Sequence, residues 1–420
     1  MYSKGHRNCC EKGIENFTTG EMNIMKPILY GDGIHDDYPA IQEMINSGVC
    51  EVSLPAPKKH YLISKTLVLP SNFRLVLPRF AEVKLTDGAN CLMVKNKMVP
   101  DYADRLPEDL NELWGGLCKH LWYYVNEYSS DVMTENIEIC GGIWNCNNMN
   151  QLPNPERTEG FGPYGYTGEG MLFYGVKNLK ISSITLKDPV HWGISFDRVS
   201  YFTVEDITFD YNLGNPMAIN MDGVHFNGNC HFGKISNLKG TCYDDLVALN
   251  AHEGSRGPIS NIEIDGLFAE GCHSAVRLLT VSDDIQNIHI SNVYGTYYQY
   301  CIGLSKYYPG ETTGAFDGIS IDHVYASKAT RDGIYPWPNG YVFPLIWMQK
   351  DIKAKNVKIT DLFRKEYNIP VETIHIGEGA TVDTLILDNI VTENHTDKEM
   401  PLMVKHGNVK DLVTSNIIEE

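Results

Sequence analysis

A short pattern of alternating hydrophobic and polar residues recurs along the chain from its middle onward. It reads NLKISSITL from Asn178, YFTVEDITF from Tyr201, SNIEIDGLF from Ser260 and QNIHISNVY from Gln286, and it returns as DGISIDHVY, KNVKITDLF, DTLILDNIV and KDLVTSNII. A period of two is typical of β-strands, and a copy every ~23 to ~38 residues is typical of a solenoid. Because Asn, Asp or Gly marks the corners and no helical pattern separates the copies, the sequence predicts an all-β fold, a parallel β-helix.

The N-terminal end of the predicted coil needs a cap, since an open end would be a template for edge pairing. The segment YGDGIHDDYPAIQEMINSG predicts a short amphipathic helix with Asp36 or Asp37 at its N-cap. Ile41, Met44 and Ile45 form the apolar face of this helix. We interpret the aspartates of this segment as structural.

Two segments depart from the strand pattern. Residues 1–24 lack it and are expected to be a disordered N-terminal extension, so residues 25–420 are interpreted as a single β-helix domain. The insertion at residues 101–131 has a helical pattern and many aromatic residues. It predicts either one wall of a sugar-binding cleft, because aromatic faces stack on sugar rings, or a lid packed on its own scaffold.

Composition narrows the choice of partner and compartment. The net charge is −18 and no basic run is present, whereas binding to nucleic acid requires clustered cations that neutralise phosphates. No stretch approaches the ~20 apolar residues of a membrane helix and no export signal is recognisable, so we expect a cytoplasmic protein without a membrane partner. The sequence does not predict an oligomeric state.

Three aspartates carry the candidate chemistry: Asp222 in AINMDGVHFNG, and Asp244 and Asp245 in GTCYDDLVALNA. Burying an ionised carboxylate among β-forming residues is costly, so packing alone does not explain them. Hydrolysis of a sugar bond needs one protonated carboxyl and one ionised carboxylate. Adjacent aspartates on a regular strand point to opposite faces, so we expect a backbone distortion at Asp244 and Asp245. Their mutual repulsion is expected to keep one carboxyl protonated near neutral pH.

These motifs resemble those of the polygalacturonase-like enzymes of glycoside hydrolase family 28, which are right-handed parallel β-helices of the pectin-lyase-like class. The likeness covers roughly residues 25–308 and begins with YGDGIHDDYPAIQ and GGIWNCNN. NMDG resembles the family's Asn-Thr-Asp element, with Met221 in place of threonine, and YDDLVALN resembles its Asp-Asp element. CHSA partly resembles its Gly-His-Gly element.

The resemblance implies a role for each matching residue. Asp244 would be the general acid, and Asp222 and Asp245 would together hold and deprotonate the attacking water, with inversion at the anomeric carbon. Asn220 would orient this group, and His273 would tune the acid or bind the sugar. An inverting mechanism predicts acid and base carboxyls roughly 6.5 to 9.5 Å apart.

The family's Arg-x-Lys element, which binds the uronate carboxylate, is incomplete in this chain. Only Lys306 stands in the matching segment YCIGLSKYY, and Arg277 in HSAVRLL is a candidate substitute. His252 and Glu253, just after the aspartate pair, are further candidate sugar contacts. Galacturonate, rhamnose and other sugars therefore all remain open as substrates.

The sequence as a whole favours a hydrolase of O-glycosidic bonds in pectin-type or related oligosaccharides, acting from chain ends. We expect no metal and no organic cofactor, because three carboxylates suffice for acid and base catalysis. Two alternatives stay open: a polysaccharide lyase on the same scaffold, and a non-catalytic carbohydrate-binding β-helix of the tail-spike type.

Overall fold

The computed structural model describes residues 28–97, 134–154, 168–253, 256–331 and 341–420. Within these residues the chain folds as a parallel β-helix, which confirms the predicted fold class. Two long sheets run along the coil, one of 16 strands and one of 11, and neighbouring strands within each sheet pair in parallel. Segments some 25 residues apart in sequence thus become neighbours in space.

The strands are numbered in chain order across both sheets. The 16-stranded sheet contains β1 (Glu51–Ser53), β2 (Tyr61–Ile63), β4 (Phe73–Val76), β5 (Glu82–Leu85), β7 (Thr134–Cys140), β8 (Ile143–Asn145), β10 (Val176–Ser182), β11 (Thr185–Lys187), β13 (Ser200–Asp210), β15 (His231–Gly240), β17 (Ile259–Cys272), β19 (Ile285–Tyr297), β21 (Phe316–Lys328), β23 (Lys353–Glu366), β25 (Thr381–Asn394) and β27 (Asn408–Glu419). The 11-stranded sheet contains β3 (Leu67–Leu69), β6 (Val94–Asn96), β9 (Met171–Tyr174), β12 (Ile194–Asp197), β14 (Val224–Asn227), β16 (Asp245–Asn250), β18 (Ser274–Leu279), β20 (Ile302–Ser305), β22 (Ile346–Met348), β24 (Ile374–Ile376) and β26 (Met403–Lys405).

The hydrophobic core fills the interior of the coil and follows the alternation seen in the sequence. In β23, for example, Val357 and Ile359 are buried while Lys358 between them is exposed. Aromatic residues stack from coil to coil in this interior, as Phe196 does on Phe226 at 4.3 Å between ring centroids. The period-two pattern therefore decides which face of each strand is available for function.

Asparagine marks several corners of the coil, as the sequence predicted. Asn72, Asn136 and Asn178 have φ angles of 58°, 56° and 63°, in the left-handed region that asparagine tolerates better than most residues. Their side chains form a ladder: the amide of Asn136 donates to Asn72 at 2.7 Å, and that of Asn178 donates to Asn136 at 2.7 Å. The ladder fixes the stagger of successive coils.

The N-terminal helical cap is present as α1, Tyr38–Asn46, with Ile41 and Ile45 buried against the core. Asp37 occupies the N-cap position, but its side chain makes no capping bond. It accepts instead from the backbone amides of Tyr30 and Gly31, and so ties the entering chain to the cap. Asp36, the other predicted capping residue, accepts from the backbone amide of Tyr38 at 3.1 Å, so the side-chain bond to the start of the helix comes from Asp36 and not from Asp37.

Two sequence predictions fall outside the described residues: the disordered extension at residues 1–24 and the insertion at 101–131. Among the residues that the structure does describe, none lies in a helix of the length and apolarity that crossing a membrane requires.

Candidate active site

Three successive strands of the 11-stranded sheet carry the candidate catalytic residues at their N-terminal ends. Asp222 precedes β14, Asp245 begins β16, and His273 precedes β18. Backbone contacts align these turns: the amide of Gly223 donates to the carbonyl of Asp245 at 2.9 Å, and Asp245 is the register partner of Ser274. The coil thus brings residues 23 and 29 positions apart into one cluster.

The adjacent aspartates lie on opposite sides of a strand boundary. Asp244 lies in the bend before β16, whereas Asp245 is its first residue. Asp245 is 1% exposed, and the side chain of Asp244 is 17% exposed. The expected backbone distortion is therefore present, and it turns only Asp244 toward solvent.

Asp245 lies in a polar but enclosed setting. Its Oδ1 accepts from the hydroxyls of Ser274 and, at 3.3 Å, Tyr300. Its Oδ2 lies 3.6 Å from the guanidinium of Arg277 and accepts no hydrogen bond from the described residues. Burial is the main cause that raises the pKa of Asp245 to about 7, and nearby Asp222 raises it further, while Arg277 opposes both.

His273 lies beside Asp244, with its Nδ1 3.3 Å from the Asp244 carboxylate and 3.0 Å from the Ser274 hydroxyl. Burial, aided by the charges of Arg331 and Arg277, holds the pKa of His273 well below its usual range. The ring is therefore neutral near pH 7, so its contact with Asp244 is not an ion pair.

The cluster differs from the sequence prediction in two respects. Oxygens of Asp244 and Asp245 lie within 4.8 Å of one another, which is shorter than the roughly 6.5 to 9.5 Å expected between inverting carboxyls. In addition, the raised pKa belongs to Asp245, whereas the family resemblance assigned the proton to Asp244. Asp222 is only 2% exposed and Asp245 1%, so Asp244 is the one carboxyl of the three that is partly accessible to solvent.

A buried histidine that the sequence analysis did not select holds Asp222 in place. His225 lies between two carboxylates, with Nδ1 2.5 Å from Asp222 Oδ2 and Nε2 3.1 Å from Glu253 Oε2. Burial acts to lower the pKa of His225, but its hydrogen bonds to both carboxylates overcome this and raise the pKa to about 10. The same pairing lowers the pKa of Glu253 to about 2 against the effect of burial. Asp222, the protonated His225 and the ionised Glu253 thus form one chain of paired side chains.

Neighbouring groups fix this chain. The hydroxyl of Tyr308 donates to Glu253 Oε1, and the amide of Asn250 donates to Glu253 Oε2 at 2.5 Å. The indole of Trp192 stacks on the His225 ring with centroids 3.6 Å apart, an arrangement that favours a positive imidazolium. Because Asp222 Oδ1 also accepts from the backbone amide of Asp245 at 3.1 Å, this chain of side chains connects directly to Asp245.

One signal in the sequence points to His225. In VHFN of β14, His225 and Asn227 alternate with the core residues Val224 and Phe226. Both polar side chains therefore lie on the outward face of the strand that follows Asp222. The alternation could have singled out His225, but only the fold shows that Glu253 lies one coil away.

Of the predicted sugar-binding cations, the structure brings Arg277 to the cluster but not Lys306. The Arg277 guanidinium lies 3.6 Å from Asp245, donates to Ser305 at 3.3 Å and lies over the Tyr307 ring at 5.5 Å. Lys306 follows β20, and its backbone amide donates to Gln349 at 2.7 Å. The pair does not reproduce an Arg-x-Lys element.

The other two predicted contacts lie at the edges of the site. Asn220 is half-buried and has a left-handed backbone (φ 52°) two residues before Asp222. His252 bonds Ser282 at 3.2 Å and lies 5.6 Å from the Tyr308 ring. Burial and the charge of Arg256 lower the pKa of His252 to about 4. His252 therefore belongs to the surroundings of Glu253, and strand β16 separates it from Asp244.

Three of the candidate residues are also close enough together to hold a metal ion. Ligand atoms of Asp244, Asp245 and His273 all lie within 4.8 Å of one another, a set that suits a divalent cation in type. The guanidinium of Arg277 lies beside Asp245. We therefore interpret Arg277 as the group that offsets the negative charge of this carboxylate.

No protein-family model and no curated protein matches the chain. Its fold is similar to that of the mannuronan C-5 epimerase AlgE6 A-module from Azotobacter vinelandii, with 13% identity, a TM-score of 0.56, and coverage of 93% of this chain and 97% of that one. It is also similar to the tailspike protein of E. coli bacteriophage HK620, solved in complex with a hexasaccharide, with 13% identity, a TM-score of 0.52, and coverage of 94% and 64%.

A family 28 exopolygalacturonase from Yersinia enterocolitica is 14% identical, with a TM-score of 0.49 and coverage of 91% of this chain and 76% of that one. The solved structures similar to this chain thus include an exopolygalacturonase and other parallel β-helix proteins, and the likeness establishes a shared fold alone.

Proposed function

We propose that this protein hydrolyses O-glycosidic bonds in pectin-type or related oligosaccharides. The observation that carries the proposal is the meeting of Asp222, Asp244 and Asp245 from two neighbouring coils, with different environments for each carboxyl. Asp244 is partly exposed, Asp222 is hydrogen-bonded to His225, and Asp245 has a pKa of about 7. Carboxyls whose environments separate their protonation states are the requirement for acid and base catalysis.

Asp244 is the most accessible of the three carboxyls, which suits it to donate a proton to the leaving oxygen, with the neutral ring of His273 at 3.3 Å. Asp222, which is hydrogen-bonded to His225, and Asp245, whose Oδ2 accepts no hydrogen bond from the described residues, are then the groups that orient and deprotonate water. Arg277 faces Asp245 and is placed to stabilise the ionised carboxylate that accepts the proton from water.

The burial of Asp222 and Asp245 favours one alternative, a non-catalytic carbohydrate-binding β-helix. In such a protein the two carboxyls and His225 would only stiffen the coil below a sugar-binding surface. The alternative predicts affinity for an oligosaccharide without any turnover.

The test is a panel of pectic and rhamnose-containing oligosaccharides, with the configuration of the product followed by NMR. We expect turnover, and we expect Asp244→Asn to lower kcat by roughly 10²- to 10⁴-fold while leaving affinity for the oligosaccharide nearly unchanged. Asp317→Asn, on the opposite sheet, is the matched control and should keep full activity. Affinity without turnover by the unmodified chain would support the alternative, and an unsaturated, ultraviolet-absorbing product would indicate a lyase.

The pH profile separates the roles of the two adjacent aspartates. If Asp245 acts as a base, kcat/KM rises with pH as this carboxyl loses its proton around pH 7. A profile that falls through the same range would instead assign the acid role to Asp245 and overturn the roles proposed for the two aspartates.

A further inference from the structure

A pocket of about 680 Å³ lies on the same sheet as the candidate active site, several coils toward the C-terminus. Eight described residues line it: Tyr341, Trp347, Gln349, Lys350, His375, Gly377, Glu378 and His406. None of these residues belongs to the carboxylate cluster, and none matches a motif found in the sequence.

The pocket is connected to the active site by one outward-facing column of the 11-stranded sheet. Register pairs run from each strand to the next, so the column contains in order His225, Ala248, Arg277, Gly303, Trp347 and His375. Trp347 and His375 are each flanked by buried core residues in their strands, which places both side chains on the outer face.

Coils of a parallel sheet repeat every ~4.8 Å, so Trp347 lies ~10 Å and His375 ~14 Å from the coil that carries Arg277. An oligosaccharide bound along the axis with its scissile bond at Asp244 therefore passes Arg277 first and then reaches the pocket. The distance from the aspartates to the pocket spans several coils. A chain of several sugar units can bridge it, whereas a single sugar cannot.

The surface between the two sites is aromatic. Tyr300 donates to Asp245 at 3.3 Å and stacks on the Trp347 ring at 5.3 Å between centroids. Gly303 leaves the space that this ring needs, because a Cβ there would come within 2.7 Å of Tyr300. Tyr300 thus links the catalytic carboxyl to the wall of the pocket.

The chemistry of the pocket suits an uncharged sugar. Trp347 offers an aromatic surface of the kind on which sugar rings stack. The ring of His375 is fixed by a 2.7 Å hydrogen bond between its Nδ1 and Glu372, and Lys350 and Glu378 contribute one charge of each sign. A balanced set of charges gives no preference for an anionic sugar.

We propose that this pocket is a distal subsite that binds a neutral sugar unit, three to four coils away from the bond at Asp244, with Trp347 as its stacking platform. The inference rests on the proposed function, because it takes the ligand to be the distal part of the same oligosaccharide.

The experiment measures affinity and turnover separately for oligosaccharides of two to six residues, in one rhamnose-containing series and one galacturonate-only series. Affinity is measured by calorimetry in Asp244→Asn, and turnover in the otherwise unmodified chain. We expect Trp347→Ala to weaken binding of the longer rhamnose-containing chains by about tenfold, equivalent to ~1.4 kcal/mol, with no change for disaccharides. Trp347→Phe should restore most of the loss.

Tyr325→Ala is the matched control, because Tyr325 is a stacked, exposed aromatic residue on the opposite sheet. It should leave affinity unchanged at every length. An equal effect of Trp347→Ala at all lengths, or none at any length, overturns the subsite while turnover still supports the hydrolase. Length-dependent binding through Trp347 without turnover supports the subsite and overturns the hydrolase.

Discussion

Among the described residues of this β-helix, two clusters of buried charge differ in how completely their polar atoms are bonded. The site cluster consists of Asp222, His225, Asp245 and Glu253, with Arg277 at its edge. The corner cluster consists of Arg364, Glu366 and Lys328, near the C-terminal ends of β21 and β23. Both are almost inaccessible to solvent.

In the corner cluster, hydrogen bonds surround the ion pair. Arg364 donates to Glu366 at 2.7 and 3.1 Å, to Thr373 at 3.0 Å, and to the carbonyls of Val371 and Ile369. Glu366 in turn accepts from three backbone amides, those of residues 328, 368 and 369. Its charges are neutralised and its geometry is fixed, as a structural role requires.

In the site cluster, bonding is incomplete at the groups nearest the proposed chemistry. Asp245 Oδ2 and Asn250 Oδ1 are buried and accept no hydrogen bond from the described residues. Native proteins leave few such atoms, and each one costs stability. The difference teaches that the corner cluster serves the fold, whereas the site cluster is bonded less completely than stability alone would favour, as the proposed function requires.

The sharpest test of this difference is Arg364→Met, which leaves Glu366 charged and buried. We expect the free energy of unfolding to fall by about 3–5 kcal/mol. Without its partner, the buried charge of Glu366 is no longer compensated for the loss of its hydration. Turnover measured below the unfolding temperature should be unchanged, since Arg364 lies outside the site. Urea denaturation and steady-state kinetics measure the two quantities.

Lys365→Met is the matched control on the same strand. Lys365 forms an exposed ion pair with Glu393 at 2.9 Å, and pairs of this kind contribute little. We expect no measurable change in stability. If both variants lost the same stability, the corner cluster would have no special structural role.

The second prediction concerns Asp245→Asn, which we expect to abolish turnover and yet stabilise the fold at alkaline pH. The pKa of Asp245 is about 7 when folded and about 3.9 when unfolded, so the folded state retains a proton that the unfolded state has lost. Stability of the unmodified protein therefore falls as pH rises from 4 to 7. At pH 8 the variant should be more stable by about 1–3 kcal/mol, and the gain should shrink toward pH 4.

Asp265→Asn is a control for which we expect the opposite change in stability at pH 8. Hydrogen bonds from Asn292 and Ser291 lower the pKa of Asp265, so its contribution to stability is present at neutral pH and is lost in acid. The variant should be less stable than the unmodified protein at pH 8. Unfolding curves at pH 4 and pH 8 compare the two, and a loss of stability in Asp245→Asn at pH 8 would contradict the site cluster's proposed cost.

The sequence predicted the features that depend on local pattern. The alternation in phrases such as KNVKITDLF indicated strands and their core faces, and β23 has that burial pattern. The motifs NMDG and YDDL singled out Asp222, Asp244 and Asp245, which the fold brings together. These features follow from residues within one coil.

The remaining features depend on register between coils, which the sequence does not show. Trp347 aligns with Gly303 across 44 positions of sequence, while Arg277 aligns with Gly303 across 26. Because connecting segments differ in length, no fixed period reveals such a column. His225 and Glu253 were missed as a pair for the same reason, since their contact forms only when β14 and β16 stack.

Lys328 is the exception within the corner cluster, because its buried amine is poorly stabilised as a charge. It therefore tests whether the two clusters really differ. Burial, with the repulsion of Arg364, lowers the pKa of Lys328 to about 7, against about 10.4 in the unfolded chain. The unfolded state therefore binds a proton that the folded state lacks between pH 7 and 10, and stability rises with pH across that range.

The last and smallest effect is expected for Lys328→Met. At pH 7 the variant gains by removing a buried amine and loses the hydrogen bond from the amine to the carbonyl of Gln299, so the net change should stay within about 1 kcal/mol. The informative quantity is the slope: from pH 7 to pH 9 the unmodified protein should gain stability and the variant should not. Equal slopes in urea denaturation would show that Lys328 is as well accommodated as Arg364, and the corner cluster would then contain no strained charge.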